Sequence, residues 1–419
     1  TLRKGVRFSD GTAVNAAAVR TWIQHELKVP GGAGSTYLAS LTKIDITSPT
    51  QLTLHFGKPT PQLPFVFSQQ LEMGEIGSPR AVAAGTLATR TDGAGEYVLD
   101  PSQTVTGNYY TFTPNPYYWN PKAIHWKKVV IRYITSPTTT LQAMQSGQVQ
   151  FAVQQQVSSI AAAKQDGFNI TMPLQAFYGL AIDDRTGSIV PALGKVQVRQ
   201  AINYAINRQA LNNAVYDGFA KPNDEPAIPG DDGYVPSLAS RYTYDPAKAK
   251  QLLAQAGYRQ GFTMHILDVK ALGFDTLAQA ISGELAAVGI KAIPVDASNI
   301  GDYFSKLASG KYETSIIGFG GLPGYFLYDL LLGPDATQFN PLKTQSSVIS
   351  SAYQALLPLS AAQADTYSQK MVEYAVNQAW FAIADSTPFV AFGVKGIAGS
   401  NAETDGRRLW YLPELYPAK

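Results

Sequence analysis

The 419-residue chain contains no cysteine. Disulfides, thiolate metal sites and cysteine nucleophiles are therefore excluded together. Compartment stays open, because an exported protein can simply avoid cysteine. Charge is scarce: Asp, Glu, Lys and Arg supply 15% of the residues, and the formal net charge is +2. Basic residues are scattered, with only short clusters such as Arg3-Lys4 and Lys127-Lys128. No basic stripe marks a nucleic-acid partner. No uninterrupted apolar run reaches the roughly 20 residues of a membrane helix. His25, His55, His125 and His265 are too dispersed for metal-ligand spacing, so neither a metal nor a cofactor is expected.

Catalytic motifs are missing as well. There is no G-x-S-x-G elbow and no recognisable serine–histidine pairing, so no catalytic residue is expected and the chain reads as a non-enzyme. Gly194-Lys195 is followed by Val196, which fails the P-loop pattern. Asp183-Asp184 and Asp231-Asp232 read as solvated turns, and Asn169-Ile170-Thr171 is a glycosylation sequon short enough to arise by chance.

A chain of this length exceeds one hydrophobic core, which predicts two or three domains. Its first residues, TLRKGVRFSDG, read as the middle of a strand and turn rather than a signal peptide, so an N-terminal part is expected to be missing. Helix punctuation is clear in DPAKAKQLLAQAGY, with Asp245 as N-cap, Pro246 at the first position and Gly257 as the stop. VRQAINYAINRQALNNAVYDG gathers Val198, Ala201, Ile202, Ala205, Leu211 and Val215 near one helical face.

From Phe262 to Gly320 the pattern runs FTMHILD, DTLAQAISGELAAVG, IKAIPVD, IGDYFSKLASG, YETSIIGFG. Strand, helix, strand, helix, strand predicts a mostly parallel α/β sheet, with the middle helix capped by Asp275. A smaller unit, KKVVIRYITS, TTTLQAMQSG and VQFAVQQQ, reads the same way and ends in Gln154, Gln155 and Gln156. Ligands of such sheets sit beyond the carboxyl ends of the strands. Two lobes facing a cleft are thus expected.

IIGFGGLPGYFLYDLL, residues 316–331, leaves one of those strand ends. Its glycines predict sharp turns or a close approach. Gly318, Gly320 and Gly321 begin like a dinucleotide fingerprint, but Pro323 stands at the third glycine position and no helix is expected to open there.

TLRKGVRFSDGTAVNAAAV resembles the L-R-x-G-x-x-F-x-D-G stretch of the family 5 extracellular solute-binding proteins, the ABC-importer receptors for oligopeptides, dipeptides, nickel and related solutes. NPYYWNPKAIHWKKVVIRYITSPTTTLQAMQSGQVQFA, VRQAINYAINRQALNNAVYDGFAKP and YDPAKAKQLLAQAGY are similar to three further blocks of that family, in the same order. The resemblance implies an α/β, two-lobed periplasmic-binding-protein fold (type II-like) with an extra α+β subdomain on lobe I. On that pattern 1–95 is the extra subdomain, 96–178 lobe I, 179–388 lobe II, and 389–419 a return to lobe I.

The same resemblance implies capture of a solute by hinge closure and delivery to a membrane permease, outside the cytoplasm, by a monomer. It places the cleft at Gln154, Gln155 and Gln156, at Phe177 and Tyr178, and at Phe319, Gly320, Gly321, Leu322, Pro323 and Tyr325. Peptide-binding members carry an aspartate in the last segment that pairs with the ligand's α-ammonium. Here Leu322-Pro323-Gly324 stands instead, and Asp329 lies further along. A buried ammonium without a counter-charge costs several kcal/mol. The expected ligand is therefore a neutral or anionic solute, such as a sugar or opine-like compound, or a peptide held by its backbone. Alternatives are a sensor or docking module of the same fold, or a true oligopeptide receptor using other contacts.

Overall fold

The computed structural model describes all residues except 30, 31, 62, 69, 70, 72, 321, 322, 337, 400–411, 413, 414 and 419, and the side chains at 154 and 361. The N-terminal unit pairs one helix with a hairpin. Asn15 starts the helix Ala16–Glu26 by accepting the Ala18 N–H. Val19 and Ile23 then pack with Leu38, Val66 and Met73 beneath β1 (Leu41–Ser48) and β2 (Gln51–Phe56). A second antiparallel sheet joins β3 (Tyr97–Leu99), β4 (Tyr109–Pro114) and β5 (Val129–Arg132).

β6 (Phe151–Gln155) and β7 (Asn169–Thr171) come next, followed by the strands of the largest sheet. These are β8 (Leu174–Ile182), β9 (Lys221–Pro222), β10 (Phe262–Asp268), β11 (Ile290–Asp296), β12 (Thr314–Phe319) and β13 (Phe381–Pro388), in the spatial order β11-β10-β12-β8-β13-β9. β14 (Val390–Gly393) then returns to lie between β6 and β7. The small sheet β6-β14-β7 and the large sheet have separate apolar clusters: Met144, Ile160, Val390 and Phe392 serve the small one, while Leu180, Ile266, Ile316 and Ile383 belong to the large one.

The elements from Phe262 to Phe319 form where the sequence pattern puts them, and β10 pairs in parallel with both β11 and β12. The sheet as a whole is mixed, however, because β12, β8, β13 and β9 pair antiparallel. Those partners come from distant parts of the chain, which a local pattern does not display. The smaller strand–helix–strand unit is also a correction. β5 pairs with β4, and β6 pairs with β14, so its two strands lie in different sheets.

Val198 to Gly218 is two helices, Val196–Ala205 and Arg208–Tyr216. Asn207 breaks them by turning its side chain onto the Ala210 N–H as an N-cap. The helix Phe274–Ala286 starts at Gly273, with Asp275 inside its first turn rather than at the cap. Asp183 and Asp184 are fully buried rather than solvated. Asp184 accepts the backbone N–H groups of Ser188, Ile189 and Val190 and so closes a loop, and Asp183 accepts the Ser315 hydroxyl. Burial pushes the Asp183 carboxyl up to about 7.

Candidate functional site

Two chain crossings connect the small and large sheets. One leaves β7 and enters β8 through Pro173; the other leaves β13 at Pro388 and enters β14 through Phe389. They run side by side, and the Phe389 N–H donates to the Pro173 carbonyl at 2.8 Å. Proline fixes φ at both crossings, which limits the bend to a few neighbouring torsions.

The carboxyl end of β12 adjoins the first crossing. Phe319 is paired in register with Phe177, and Gly318 with Tyr178. Glycine is needed here for internal close approach. A Cβ on Gly318 would collide with the Tyr178 ring, and one on Gly320 would overlap the Gln175 carbonyl oxygen. Gly324 is pressed equally tightly against Ser368. Glycine at 318, 320 and 324 is thus accounted for by neighbouring protein atoms.

A helical segment does open after Pro323, contrary to expectation: Gly324–Phe326 makes one turn, and Leu327–Leu332 continues it with wider i→i+5 spacing. Its first free donor, the Gly324 N–H, is taken by the Asp232 carboxylate at 3.0 Å. The protein's own acid occupies the position an anion would seek. Burial raises the Asp232 carboxyl, and Asp365 nearby adds to the effect.

Among the expected cleft residues, Phe177 is 1% exposed and belongs to the large core. Tyr178 is half-buried, edge-on to Phe274 with ring centroids 6.0 Å apart, and burial raises its hydroxyl pKa. Phe319 is half-buried and edge-on to Phe339. Gly320, Pro323 and Tyr325 are also half-buried. Gly321 and Leu322 lie outside the described residues, as does the Gln154 side chain. Gln155 is half-buried, pairs in register with Val390, and donates to the Val153 carbonyl at 2.7 Å. Gln156 is exposed just past the strand.

β8 and β12 therefore set Phe177, Tyr178 and Phe319 side by side, and β14 carries the link from Gln155 to the second crossing. Sequence reasoning missed Asp232, whose only signal was the Asp231-Asp232 pair, and the use made of Asp329. The Asp329 carboxylate accepts the Tyr353 hydroxyl at 3.1 Å, and its pKa is raised by burial. Among the described residues no group of three His, Asp or Glu could hold a metal ion, and no helix is long and apolar enough to cross a membrane.

Comparison with known proteins extends this picture. Heme-binding protein A of Haemophilus influenzae is 27% identical over 285 residues, covering 65% of this chain and 51% of that protein. Glutathione-binding protein GsiB of Salmonella choleraesuis is 27% identical over 310 residues, 70% of this chain and 56% of that one. The chain thus spans about half the length of the curated relatives it matches. The solved structure of HbpA2 from Haemophilus parasuis shares the fold, with a TM-score of 0.81 at 21% identity, covering 100% of this chain and 87% of that one. Residues 1–337 match the family described as bacterial extracellular solute-binding proteins, family 5 Middle. Most of the chain is covered by that match, and it belongs to the family 5 bacterial extracellular solute-binding proteins.

Proposed function

We propose that this chain captures a small solute between two lobes, outside the cytoplasm, and hands it to an ABC importer permease as a monomer. On this reading 1–95 is a subdomain attached to lobe I, lobe I runs from 96 to the crossing at Pro173, lobe II takes the rest up to 388 (the family pattern puts that boundary after 178), and 389–419 returns to lobe I. The observation that carries it is the pair of adjacent crossings at Pro173 and Phe389, joined by one hydrogen bond. Two short parallel links between separately cored sheets are what a hinge requires. The first link falls at Pro173, because β8 continues without a break from Leu174 to Ile182.

The solute is held by Gln154, Gln155 and Gln156 on one side and by Tyr178, Phe319, Gly320, Gly321, Leu322, Pro323 and Tyr325 on the other, with Phe177 supporting the wall from the core. Half-buried rings offer flat apolar faces, and amides offer neutral donors and acceptors. No α-ammonium–aspartate pair anchors the ligand. Supporting this, Asp232 and Asp329 already accept hydrogen bonds from Gly324 and Tyr353. The role needs no cofactor and no bond chemistry, so the protein acts as a receptor and not as an enzyme.

Native mass spectrometry of the purified chain, followed by calorimetry with di- and oligopeptides and their N-acetylated forms, tests the proposal. A neutral or anionic solute bound at the cleft, or peptides bound equally with and without a free amine, is the expected result. Tight peptide binding that is lost on N-acetylation would overturn the anchoring claim.

A further inference from the structure

Outside the cleft, one contact joins parts of the fold that the hinge reading assigns to opposite lobes. The N-terminal unit has its own core, and it is tied to the β3-β4-β5 sheet. Arg3 lies over the Trp119 ring at 3.6 Å, and the Asn115 amide donates to the Gly95 carbonyl. Yet Tyr37 and Leu71 pack against both that core and the core of the large sheet.

The Tyr37 ring meets Phe326, in the helical segment that follows the glycine-rich wall. The Tyr37 and Phe326 rings meet edge-on with centroids 5.5 Å apart, and Phe65 approaches the same ring at 5.3 Å. Phe326 is 2% exposed, whereas Tyr37 and Phe65 are half-buried, as expected for rings at the rim of an interface. Asp329 follows three residues later in the same segment. Burial raises its carboxyl, Tyr353 lowers it by donating a hydrogen bond, and Lys58 lowers it across the interface. Lys58 is exposed on the N-terminal unit. Burial, then Asp329, raises the Tyr37 hydroxyl.

We infer that Tyr37 and Phe65 on the N-terminal unit, with Phe326 on the large-sheet unit, form an aromatic latch that holds the two lobes closed without touching the solute. The inference rests on the capture reading for its meaning. Its position gives it leverage, because Phe326 is three residues beyond Pro323 in the wall itself. The ring contacts at Phe326 give the latch its attraction.

The absence of cysteine makes a distance measurement clean. Lys43→Cys and Ser347→Cys place unique spin labels at exposed positions, one on each side of the contact. Double electron–electron resonance on the solute-free chain should show a short-distance population. Phe65→Ala should move the ratio of short to long distances roughly fivefold toward long, the effect of losing about one aromatic pair. Tyr37→Ala, which removes the other ring against Phe326, should shift it in the same direction.

Circular dichroism and thermal melts of each variant report whether the fold survives, and Tyr37→Ala keeps the test intact if Phe65→Ala does not fold. Distance distributions unchanged by both substitutions would overturn the latch. The readout needs no solute. Failure to find any bound solute would sink the capture reading alone, while unchanged distances alongside normal solute binding would sink the latch alone.

Discussion

The Phe389 N–H donates to the Pro173 carbonyl at 2.8 Å, and this bond staples together the two strands of chain that connect the small and large sheets. Were the two links independent flexible segments, their amides would exchange freely with solvent. Stapled, they form a two-stranded strap. The Phe389 amide should therefore resist hydrogen exchange far better than ordinary loop amides, by an opening free energy of several kcal/mol. Exchange at loop-like rates, read by NMR or by mass spectrometry of peptides spanning 385–392, would contradict this.

Glycine substitutions should separate crowded positions from open ones. Gly283 lies in the helix Phe274–Ala286, where an added Cβ would meet nothing within 4 Å. Gly283→Ala should stabilise the chain by about 0.5–1 kcal/mol, through helix propensity and a stiffer unfolded chain. Gly320→Ala forces a Cβ into the Gln175 backbone and should destabilise by roughly 1–3 kcal/mol. Urea melts of the two variants should move in opposite directions.

Asp385 gives stability a definite pH dependence. It is fully buried on β13, and neither carboxyl oxygen has a hydrogen-bond partner among the described residues. Burial pushes its pKa up to about 7, against the attraction of Arg208. The folded state therefore keeps a proton that the unfolded state releases near pH 4. This contribution is fully present below about pH 4, declines as pH rises, and is gone above about pH 7. Asp385→Asn should flatten that decline, removing on the order of a few kcal/mol of pH dependence between pH 4 and 8. Denaturation midpoints at several pH values measure it, and parallel curves for both proteins would refute it.

Arg208 organises the loop that follows its helix. Its guanidinium donates to the carbonyls of Asn203, Asn223, Tyr242 and Ile383 and to the Asn203 side chain, and it pairs with buried Asp224. Arg208→Met strands the Asp224 carboxylate and should cost about 3–5 kcal/mol. Arg208→Lys should recover little of this, because an ammonium cannot span the same fork of acceptors. Recovery to within about 1 kcal/mol by lysine would show that charge alone matters here.

Local signals in the sequence were strong wherever a segment's neighbours along the chain decide its conformation. Asp245, Pro246 and Gly257 bound the helix Pro246–Gln255 as their chemistry requires, and the Asp245 side chain accepts the Lys248 N–H. The alternation from Phe262 to Phe319 produced β10, β11 and β12 with their crossover helices. The glycine-rich segment was recognisable as a place of close approach, although its partner could not be named. Partner strands were a different matter: β8 and β13 are about 200 residues apart in sequence and adjacent in space. Nothing local in LQAFYGLAI reveals that its neighbours run antiparallel.

Composition, capping residues and hydrophobic period determined the α/β class, the ends of the helix Pro246–Gln255, the exclusion of cysteine chemistry, and the ordered blocks that mark the family. These depend on torsions and contacts within a few residues, which the chain carries with it. Tertiary structure alone decided that Asp183 and Asp184 are buried, that Asp232 caps Gly324, that Phe177 is core, and that Phe389 meets Pro173. Apart from the loop that Asp184 closes, these rest on residues far apart in sequence, where burial and pairing depend on which surfaces the folded sheets bring together. Helix caps are local, whereas a cleft is made by two distant segments that first meet in the folded protein.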